Sequence, residues 1–528
     1  MNSVAEIPVI EVLQLQQLLV EKDRLITEQA RRIAEQQSQI AGLLEQFRLQ
    51  HHHRFGASSE QAPGQGALFN EAETLAADTP EELTPSAATL TAETPKQPGR
   101  GRRRPLPPEL PRIEIVHDLA AGEQQCACGC QLSALGKEIS EQLDIIPAQV
   151  RVLRHVRKTY ACPRCETAPI TAPLPAQPIP KSNASAGLLA HIAVAKYQDA
   201  LPLYRQEAIL QRAGIDLSRQ TLARWMIQTA DLLQPLHNLL RDELLNGPVI
   251  HCDESVVQVL KEPDKPPQSP SYMWVQAGGP PPHHIILYDY HPSRSGKVPL
   301  RLLEGYRGYL MTDGYEGYNA LAAGDAINHL CCWAHARRKF VEAKRAQPKS
   351  KGVAKTGKVD VALNFIGKLY GIEQGLRGSD RETRYRIRQR DSVPALTQLR
   401  LWLDKTRDTV LPKGKLGEAL QYLHKYWPKL IRYTEDGGLP IDNNRVENAI
   451  RPFVVGRKNW LFSDTPQGAT ASAVIYSVIE SAKVNNLEPY SYLRHVLKEM
   501  PAAASVEAIE QLLPWRVDRD ALIQNLLH

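Results

Sequence analysis

Hydrophobic side chains recur every seven residues along 10–48, while Glu, Gln, Lys and Arg fill most of the positions between them. The repeating positions, called the apolar seam below, are Val12, Leu19, Ile26, Ile33, Ile40 and Phe47. This spacing places them on one side of a helix, as in a coiled coil. A second seam is weak, because Lys22, Gln29 and Gln36 interrupt it. The pattern predicts a leucine-zipper-like oligomerisation helix over 1–48, and a helix packed on its own protein is the alternative.

Residues 49–112 contain few of the large apolar side chains that a folded domain buries. They are rich in Ala, Pro, Thr, Gly and Gln, so we expect a linker. Three adjacent histidines at 51–53 are interpreted as a solvated loop. Near its end the linker carries a group of arginines, Arg102, Arg103 and Arg104. Such a segment neutralises phosphates without reading base sequence, so these arginines are candidate DNA contacts, and a solubilising linker is the alternative.

Cysteines in two short-spaced groups flank a strand-like segment within 113–180. The five residues are Cys126, Cys128, Cys130, Cys162 and Cys165. Zn²⁺ requires four converging thiolate or imidazole ligands, and two cysteine groups around a short β segment are typical of a zinc ribbon. The second group has the usual C-x-x-C spacing, whereas the first has C-x-C-x-C. We therefore expect a zinc-finger-like module, and the spacing leaves open which two cysteines of the first group bind.

A helical region is predicted for 181–246. One short helix ends at the turn residue Gly214, and Ser218 is placed to cap a second helix that begins at Arg219. A helix, a glycine-containing turn and a capped basic helix are typical of a helix-turn-helix motif. Arg219 and Arg224 would face the DNA groove in such a motif, and a helical hairpin that binds nothing is the alternative.

Apolar strand-like segments alternate with helical ones over 247–343. Three strands come first, and a helix, a strand, a helix, a strand and a helix follow. This is the order of an RNase H-like sheet, in which the first and fourth strands lie side by side. The first strand carries Asp253 at its middle, and the fourth ends at Asp313. We therefore expect these two carboxylates to share one pocket.

A long, mostly helical insertion is predicted for 344–440, and it contains two basic runs. We expect it to form a lobe beside the core, where its charge suits DNA, and a purely structural cap is the alternative. The core resumes over 441–485, where Glu447 lies in a segment dense in Asn, Arg and acid. A C-terminal segment, 486–528, follows.

Asp253, Asp313 and Glu447 are the candidate catalytic residues. A carboxylate within an apolar strand is costly unless it is paired or binds a metal, and facing carboxylates repel unless a cation lies between them. We therefore expect Mg²⁺ or Mn²⁺ to bind these three acids and to promote attack on phosphate. Four neighbouring acids are possible substitutes: Glu254, Asp289, Asp325 and Asp442.

Basic side chains near these acids are candidates for holding DNA phosphates. They are His335, Arg338, Arg451, Arg457 and Lys458. A carboxylate in a basic setting suits metal-dependent chemistry on phosphate. The alternative is an amphipathic helix whose charged side chains form ion pairs in solvent.

Length and charge narrow the class of protein. The 528 residues are too many for one hydrophobic core, so several domains are expected. The formal charge is only +6, so the positions of the basic residues, and not their sum, indicate nucleic acid. We see no secretory signal and no apolar run long enough to span a bilayer, so no membrane partner is expected. The short-spaced cysteines indicate metal ligands or thiols in a reducing cytoplasm.

Several short motifs are distributed over nearly the whole chain. They are RFGASSE at 54–60, EQLD at 141–144, IPA at 146–148, RHVR at 154–157, DES at 253–255, TDGY at 312–315, CWAHARRKF at 332–340, DNNRVE at 442–447 and GRKNWLF at 456–462. Together they closely resemble the transposases of insertion-sequence family sixty-six, of the DDE class. The chief departure is in the first cysteine group, where Gln125 occupies the position at which the family usually has a cysteine.

The resemblance implies a multidomain α+β protein with a leucine-zipper N-terminus, a zinc-finger-like module and an RNase H-like α/β catalytic core that contains a helical insertion. It implies Asp253, Asp313 and Glu447 as the catalytic triad.

The resemblance also implies an activity and partners. A transposase of this class binds the terminal inverted repeats of its mobile element, frees a 3′-hydroxyl by metal-dependent hydrolysis and joins it to target DNA. The zipper implies a homo-oligomer, and the family suggests small accessory proteins of the same element and a place at the bacterial nucleoid. Two alternatives remain: an inactive or domesticated DNA-binding protein, and an RNase H-like structure-specific nuclease.

Overall fold

The computed structural model describes most of the chain outside the linker and the cysteine-bearing region. The described residues are 9–55, 150–160, 170–323, 326–347 and 357–524. The chain divides into two units, Met1–Thr79 with Pro173–His528, and Pro80–Ala172. In the second unit, β1 (Thr159–Tyr160) pairs antiparallel with β2 (Ile170–Thr171).

The predicted N-terminal helix is present and is longer than the sequence pattern indicates. Helix α1 runs over Val9–Phe55, so the histidines at 51–53 continue the helix and the predicted loop there is wrong. Five members of the apolar seam are more than half exposed: Leu19, Ile26, Ile33, Ile40 and Phe47. Near the end of α1, Glu45 accepts a hydrogen bond from the backbone of Lys415 (2.9 Å). The helix therefore contacts its own unit at one end and leaves the apolar seam exposed from Leu19 to Phe47.

Three helices precede the main sheet. They are α2 (Ala186–Tyr197), α3 (Leu203–Arg212) and α4 (Arg219–Leu245). Gly214 adopts a φ of +80° in the turn between α3 and α4, a conformation that glycine reaches without steric cost. The Ser218 hydroxyl caps α4 by accepting from the backbone of Thr221 (3.3 Å). The predicted helix, turn and capped helix are thus present.

Five strands form one mixed sheet. They are β3 (Val249–Gln258), β4 (Pro270–Gly278), β5 (Ile285–His291), β6 (Gly308–Thr312) and β7 (Ile327–Cys331), in the spatial order β5-β4-β3-β6-β7. Strands β3, β4 and β5 pair antiparallel, whereas β6 lies parallel to both β3 and β7. A short helix, α5 (Lys297–Leu302), joins β5 to β6, and a 3-10 helix (Glu316–Ala323) takes the place of the next predicted helix. The predicted adjacency of the first and fourth strands is confirmed.

Strand β6 lies between two hydrophobic cores. Its side chains alternate between the two faces of the sheet, so neighbouring residues enter different cores. Leu310 packs with the core that contains α4, and Met311 packs with the core that contains the helices of the insertion. Strand β6 is thus covered on both sides, which suits its nearly continuous apolar sequence.

The described residues that follow β7 are mostly helical. Their α-helices are α6 (Trp333–Ala346), α7 (Lys358–Gly375), α8 (Arg381–Ile387), α9 (Val393–Arg407), α10 (Lys415–Ile431), α11 (Asn444–Trp460), α12 (Pro466–Val484), α13 (Pro489–Glu499), α14 (Val506–Glu510) and α15 (Arg519–Gln524). Within the predicted insertion, 344–440, the residues from 357 onward are mostly helical as expected. Among the helices described, none combines the length and the apolar character that crossing a bilayer requires.

One arginine of the second basic run, 381–390, has an internal role. The Arg388 side chain is fully buried, and its guanidinium donates to both carboxylate oxygens of Glu373 (2.8 and 2.7 Å). It also donates to the backbone carbonyls of Tyr433 and Leu439 (2.8 and 2.9 Å). A buried charge is tolerated only when it is paired and hydrogen-bonded in this way. Arg388 therefore holds the insertion together and is not available to DNA.

Candidate active site

Asp253 is a half-buried acid at the middle of β3. Its Oδ1 accepts a hydrogen bond from the backbone of Glu254 (2.9 Å). Burial raises the pKa of Asp253 well above its usual range, and the nearby carboxylates of Glu254, Asp313 and Glu447 raise it further. Carboxylates that raise one another's pKa lie close together in a medium of low dielectric. The site thus gathers negative charge where water screens it poorly.

Asp313 lies in a tight turn directly after β6. Its Oδ1 accepts from the backbone of Tyr315 (2.7 Å), and Gly314 has a φ of +93°. The Gly314 amide donates to the Thr312 hydroxyl (3.1 Å). Because β6 is parallel to β3, this turn emerges beside the middle of β3, where Asp253 lies.

Helix α10 of the insertion supports this turn. The hydroxyl of Tyr422 donates to the carbonyl of Asp313, and the hydroxyl of Tyr426 donates to the carbonyl of Gly314 (both 2.7 Å). One turn further along α10, the Lys429 ammonium donates to Nδ1 of His329 on β7 (2.9 Å). The insertion therefore contacts the second acid's turn directly.

Glu447 enters the site from the first turn of α11. It is 8% exposed, and its two carboxylate oxygens lie 3.5 Å from His335 Nδ1 and 3.7 Å from Arg338 Nη2. Burial raises the pKa of Glu447 to about 7; Arg338 opposes this rise and Asp442 adds to it. The amino-terminal end of a helix also favours a carboxylate. Glu447 thus titrates near neutral pH, so its charge responds to any cation that binds beside it.

Asn443 connects α11 to the strand that carries Asp253. Its amide nitrogen donates to the carbonyl of Cys252 (3.0 Å), and its amide oxygen lies 3.0 Å from His251 Nδ1. Burial and the nearby Arg445 lower the pKa of His251 to about 4, so the ring is neutral at pH 7 and Nδ1–H donates to the oxygen. Asn443, the residue directly before α11, is therefore hydrogen-bonded to His251 and Cys252, the two residues that precede Asp253 on β3.

The three acids come from three distant parts of the chain, β3, the turn after β6, and α11. Among the described residues, three potential metal-ligand atoms lie within 4.8 Å of one another only at Cys332, His335 and Glu447. The carboxylates of Asp253, Asp313 and Glu447 are thus close enough to raise the pKa of Asp253, but they are not clustered within that limit. Their oxygen donors, from one buried and two half-buried carboxylates, and the repulsion that raises the pKa of Asp253 fit a hard divalent cation such as Mg²⁺ or Mn²⁺.

The three substitute acids that the structure describes each have other hydrogen-bond or ion-pair partners. Glu254 accepts from Arg294 (2.7 Å) and from the Tyr318 hydroxyl (2.7 Å). Asp289 forms an ion pair with Arg241, which lowers its pKa although burial opposes this. Asp442 accepts from the backbone and side chain of Asn444 at the start of α11 (3.2 and 2.9 Å), and Asp325 lies outside the described residues.

The predicted basic residues fall into two groups. His335, Arg338 and Arg451 surround Glu447, and both arginines lower its pKa. Arg457 donates to the Ser255 hydroxyl (3.2 Å) near the end of β3, and Lys458 is exposed on α11. These five residues are therefore on or near the elements that carry the acids.

The remaining predicted contacts lie elsewhere. Arg219 and Arg224 are exposed on the first turns of α4, in the helical region that precedes the sheet. The arginines Arg102, Arg103 and Arg104 and the cysteines Cys126, Cys128, Cys130, Cys162 and Cys165 lie outside the described residues. Their roles stay predictions.

The sequence analysis assigned no role to Asn443, Tyr422 or Tyr426. Asn443 lies within the DNNRVE motif at 442–447, but no feature of the neighbouring sequence shows that its side chain turns back toward β3. Tyr422, Tyr426 and Lys429 follow the i, i+4, i+7 spacing of one helix face, which is a signal that periodicity could have detected.

Comparison with protein families gives four matches. The model described as "Transposase IS66 family" matches residues 181–471. The model described as "zinc-finger binding domain of transposase IS66" matches 123–166, which includes all five predicted zinc ligands. The "IS66 C-terminal element" matches 477–515. A leucine-zipper model of the same transposases, described as "Transposase C of IS166 homeodomain", matches 42–115 and so overlaps only the end of the apolar seam.

Individual relatives are similar over most of their length. The uncharacterized protein y4jD of Sinorhizobium fredii is 33% identical over 434 residues, 79% of this chain and 83% of that protein. The uncharacterized protein y4qI of the same organism is 31% identical over 468 residues, 86% of this chain and 84% of that protein. These relatives extend the similarity beyond the 181–471 match.

Proposed function

Because the chain belongs to the Transposase IS66 family, we propose that it is a DDE transposase that cuts and joins the ends of its insertion sequence. Its DNA partners would be the terminal inverted repeats and the target, with small accessory proteins of the same element as further partners. The strand order β5-β4-β3-β6-β7, with its parallel and antiparallel pairs, supports an RNase H-like core.

We assign the chemistry to Asp253, Asp313 and Glu447. The observation that carries this assignment is the half-buried Asp253, whose pKa both other acids raise although they lie far away in the sequence. Assembling buried carboxylates is unfavourable unless a cation compensates them, so their proximity supports a metal site. Asp313 is held through its own backbone and Glu447 by the first turn of α11, which gives both acids fixed positions.

The residues around the acids divide the work of an in-line phosphoryl transfer. When bound, Mg²⁺ or Mn²⁺ supplies the positive charge that activates an attacking oxygen and stabilises the leaving one. Asp253, Asp313 and Glu447 would hold that charge in place. Arg338 and Arg451, which already face Glu447, would bind the scissile phosphate and compensate the charge that develops on it. Neutral His335 would contact the flanking DNA.

The other modules would bind DNA ends and bring them together. The zinc-finger match over 123–166 supports a zinc-dependent DNA-binding role for the cysteine-bearing region. The exposed Arg219 and Arg224 at the start of α4 would contact end DNA in a groove. The exposed apolar seam of α1 supports a homo-oligomer that holds two ends at once.

A strand-transfer assay with Mg²⁺ and cognate ends tests the assignment. We expect Asp253→Asn and Glu447→Gln to lower product formation by about two orders of magnitude or more, because each removes a metal-binding charge. End binding measured by fluorescence anisotropy should change little. Asp464→Asn is the matched control, since that acid is 59% exposed in a surface ion pair.

Strand transfer that survives Asp253→Asn would rule out the assigned chemistry. Two other outcomes would favour the alternative functions. Cleavage of branched DNA that ignores end sequence and never joins strands would indicate a structure-specific nuclease. End binding with no metal-dependent product would indicate an inactive DNA-binding protein.

A further inference from the structure

A sulfur, a nitrogen and a carboxylate oxygen lie together beside the proposed catalytic acids. We propose that Cys332, His335 and Glu447 form a second metal site, which takes a cation of the Zn²⁺ type and withdraws Glu447 from catalysis. Their ligand atoms all lie within 4.8 Å of one another, which none of the other described His, Cys, Asp and Glu groups of three achieves. The binding part of the proposal stands on these atoms alone, and the inhibitory part rests on the proposed function.

The fold brings these ligands together through two helix starts. Cys332 is the residue before α6, and His335 lies one turn along it, so the two form a C-x-x-H pair. Glu447 lies in the first turn of α11. The segments are joined directly, because Asn443 N–H donates to Cys332 Sγ (3.2 Å) and Trp333 N–H donates to the carbonyl of Ile441 (3.2 Å). The ligand set is therefore formed without any rearrangement of the backbone.

Two of the three residues each have a buried side-chain atom without a hydrogen bond. In the described part of the chain, His335 Nδ1 and Glu447 Oε1 have no hydrogen-bond partner, although they lie 3.5 Å apart. Buried polar atoms are almost always satisfied, so an unsatisfied pair indicates a missing ligand. Burial and the nearby Arg338 and Lys339 lower the pKa of His335 to about 3, so a ring nitrogen keeps its lone pair for a metal at neutral pH.

The donor set selects the class of metal. Thiolate and imidazole bind Zn²⁺ strongly, whereas Mg²⁺ prefers oxygen ligands. Three protein ligands leave the fourth tetrahedral position for water or a phosphate oxygen. The Cys332 thiol must release its proton when the metal binds, so each bound metal ion displaces one proton to solvent.

Occupation of this site would compete with strand transfer. Glu447 cannot serve both cations in the same way, because a bond from its carboxylate to Zn²⁺ reduces the negative charge that it offers to Mg²⁺. Zinc is already implied for the cysteine-bearing region, so the protein would meet this metal. The chain would thus carry one zinc site for structure and one through which excess zinc stops the reaction.

Cobalt(II) is the direct probe, because a bond from thiolate sulfur to Co²⁺ gives a charge-transfer absorption. The full-length chain is used with Cys126, Cys128, Cys130, Cys162 and Cys165 replaced by Ser, so that their thiolates do not contribute. We expect this chain to give the absorption, Cys332→Ser to remove it, and His335→Gln to weaken Co²⁺ binding at least tenfold. Cys331→Ser, a neighbouring buried thiol outside the site, is the matched control and should keep the absorption.

The site would be overturned if the chain with the five cysteines replaced gave no charge-transfer absorption with Co²⁺. It would also be overturned if neither Cys332→Ser nor His335→Gln changed that absorption. The zinc content of the otherwise unmodified chain gives a second measurement that does not depend on the replaced cysteines. After dialysis, a zinc content in Cys332→Ser that is one equivalent per chain lower than in Cys331→Ser supports the site. Equal zinc contents in the two variants contradict it.

The inhibitory part is tested by adding Zn²⁺ to the Mg²⁺-dependent strand-transfer assay. We expect Cys332→Ser to need at least tenfold more Zn²⁺ for half-inhibition than Cys331→Ser, and equal sensitivity would overturn the competition. Absence of strand transfer in every variant would instead count against the proposed function, because the cobalt experiment needs neither DNA nor turnover.

Discussion

At the residue scale, Asn443 fixes the start of α11, which carries Glu447, against β3, which carries Asp253. Its side chain binds both the ring of His251 and the carbonyl of Cys252, and it is completely buried. Asn443→Ala would leave buried polar groups on β3 without partners, so we expect a loss of about 3 kcal/mol in the free energy of unfolding. Strand transfer should fall as well, because α11 would no longer be fixed against the strand that carries Asp253. Denaturant unfolding and the strand-transfer assay measure the two effects.

Asn448→Ala is the control for this substitution. Asn448 lies on the same helix but is exposed, so its replacement should change stability by less than about 0.5 kcal/mol. Equal effects of the two substitutions would contradict the connecting role of Asn443.

Glu447 should make stability depend on pH. Its folded pKa of about 7 lies above the ordinary value of 4.5, so the folded state binds the proton more tightly than the unfolded state does. Stability is therefore lost as the pH rises from 4.5 through 7, and the full loss is roughly 3 kcal/mol. We expect Glu447→Gln to be more stable than the parent at pH 8 and to show no such advantage at pH 4. Denaturant unfolding of both proteins at the two pH values, without divalent metal, measures the difference.

Glu499→Gln is the matched control, because Glu499 is 46% exposed in a surface ion pair. At pH 8, Glu499→Gln should change stability by less than Glu447→Gln does, because an exposed surface ion pair contributes little. If Glu447→Gln behaves in the same way, the buried position of Glu447 does not control its ionisation.

The identity of the acids could be predicted from sequence, but their surroundings could not. A carboxylate in an apolar strand stands out in the sequence, as Asp253 does. The partners of Asn443 lie 191 and 192 residues away, and no local pattern connects residues at that separation. The same holds for the ion pair between Glu254 and Arg294, which lie 40 residues apart in the sequence.

At the element scale, α10 links the insertion to the candidate site. Tyr422 and Tyr426 each donate one hydrogen bond to the turn that holds Asp313. Replacing both with Phe removes only the hydroxyls and keeps the packing, so the cost per bond is about 1 kcal/mol. We expect the double variant to lose roughly tenfold or more in the rate of strand transfer, because the turn becomes less constrained. Single-turnover kinetics on pre-bound ends measure this loss.

Tyr385→Phe controls for the loss of a hydroxyl from the insertion. Tyr385 lies on α8 and is 39% exposed, and its replacement should leave the rate unchanged. A double variant on α10 that also retains the parent rate would show that the insertion does not position Asp313.

The elements themselves follow from local patterns better than their connections do. Ser218 predicts the capped start of α4, and the succession of strand-like and helical segments predicts that the first and fourth strands of the sheet are adjacent. Helix α1 passes the predicted loop at 51–53 because three histidines neither cap nor break a helix. Which face of α10 meets the turn at Asp313 depends on tertiary packing, which periodicity alone does not specify.

At the scale of the whole molecule, basic residues are poor guides to DNA contact unless their partners are known. In the run 381–390, Arg388 is buried with Glu373, while Arg381 pairs with Asp436 and Arg390 pairs with Asp391. Much of this charge is therefore compensated inside the insertion. The basic residues around Glu447 differ in that they surround an acid with a raised pKa, which makes them better candidates for phosphate.

The apolar seam of α1 is the feature by which two copies of the chain would associate. A long helix with a row of exposed large apolar side chains buries them most readily against the same row of another copy. Ile33 lies near the middle of the seam and is 53% exposed, so Ile33→Glu should not disturb the folded unit. It would place two negative charges in the contact between copies, and we expect the protein to become monomeric at micromolar concentration.

Sedimentation velocity distinguishes the outcomes, with Ala34→Glu as the control that adds the same charge to a neighbouring exposed position outside the seam. Ala34→Glu should keep the parent's oligomeric state. If the parent sediments as a monomer, or if Ile33→Glu keeps an oligomer, the seam does not join copies. Joining of paired ends should fail in the monomeric variant while single-end binding persists, because synapsis needs two chains and end recognition needs one.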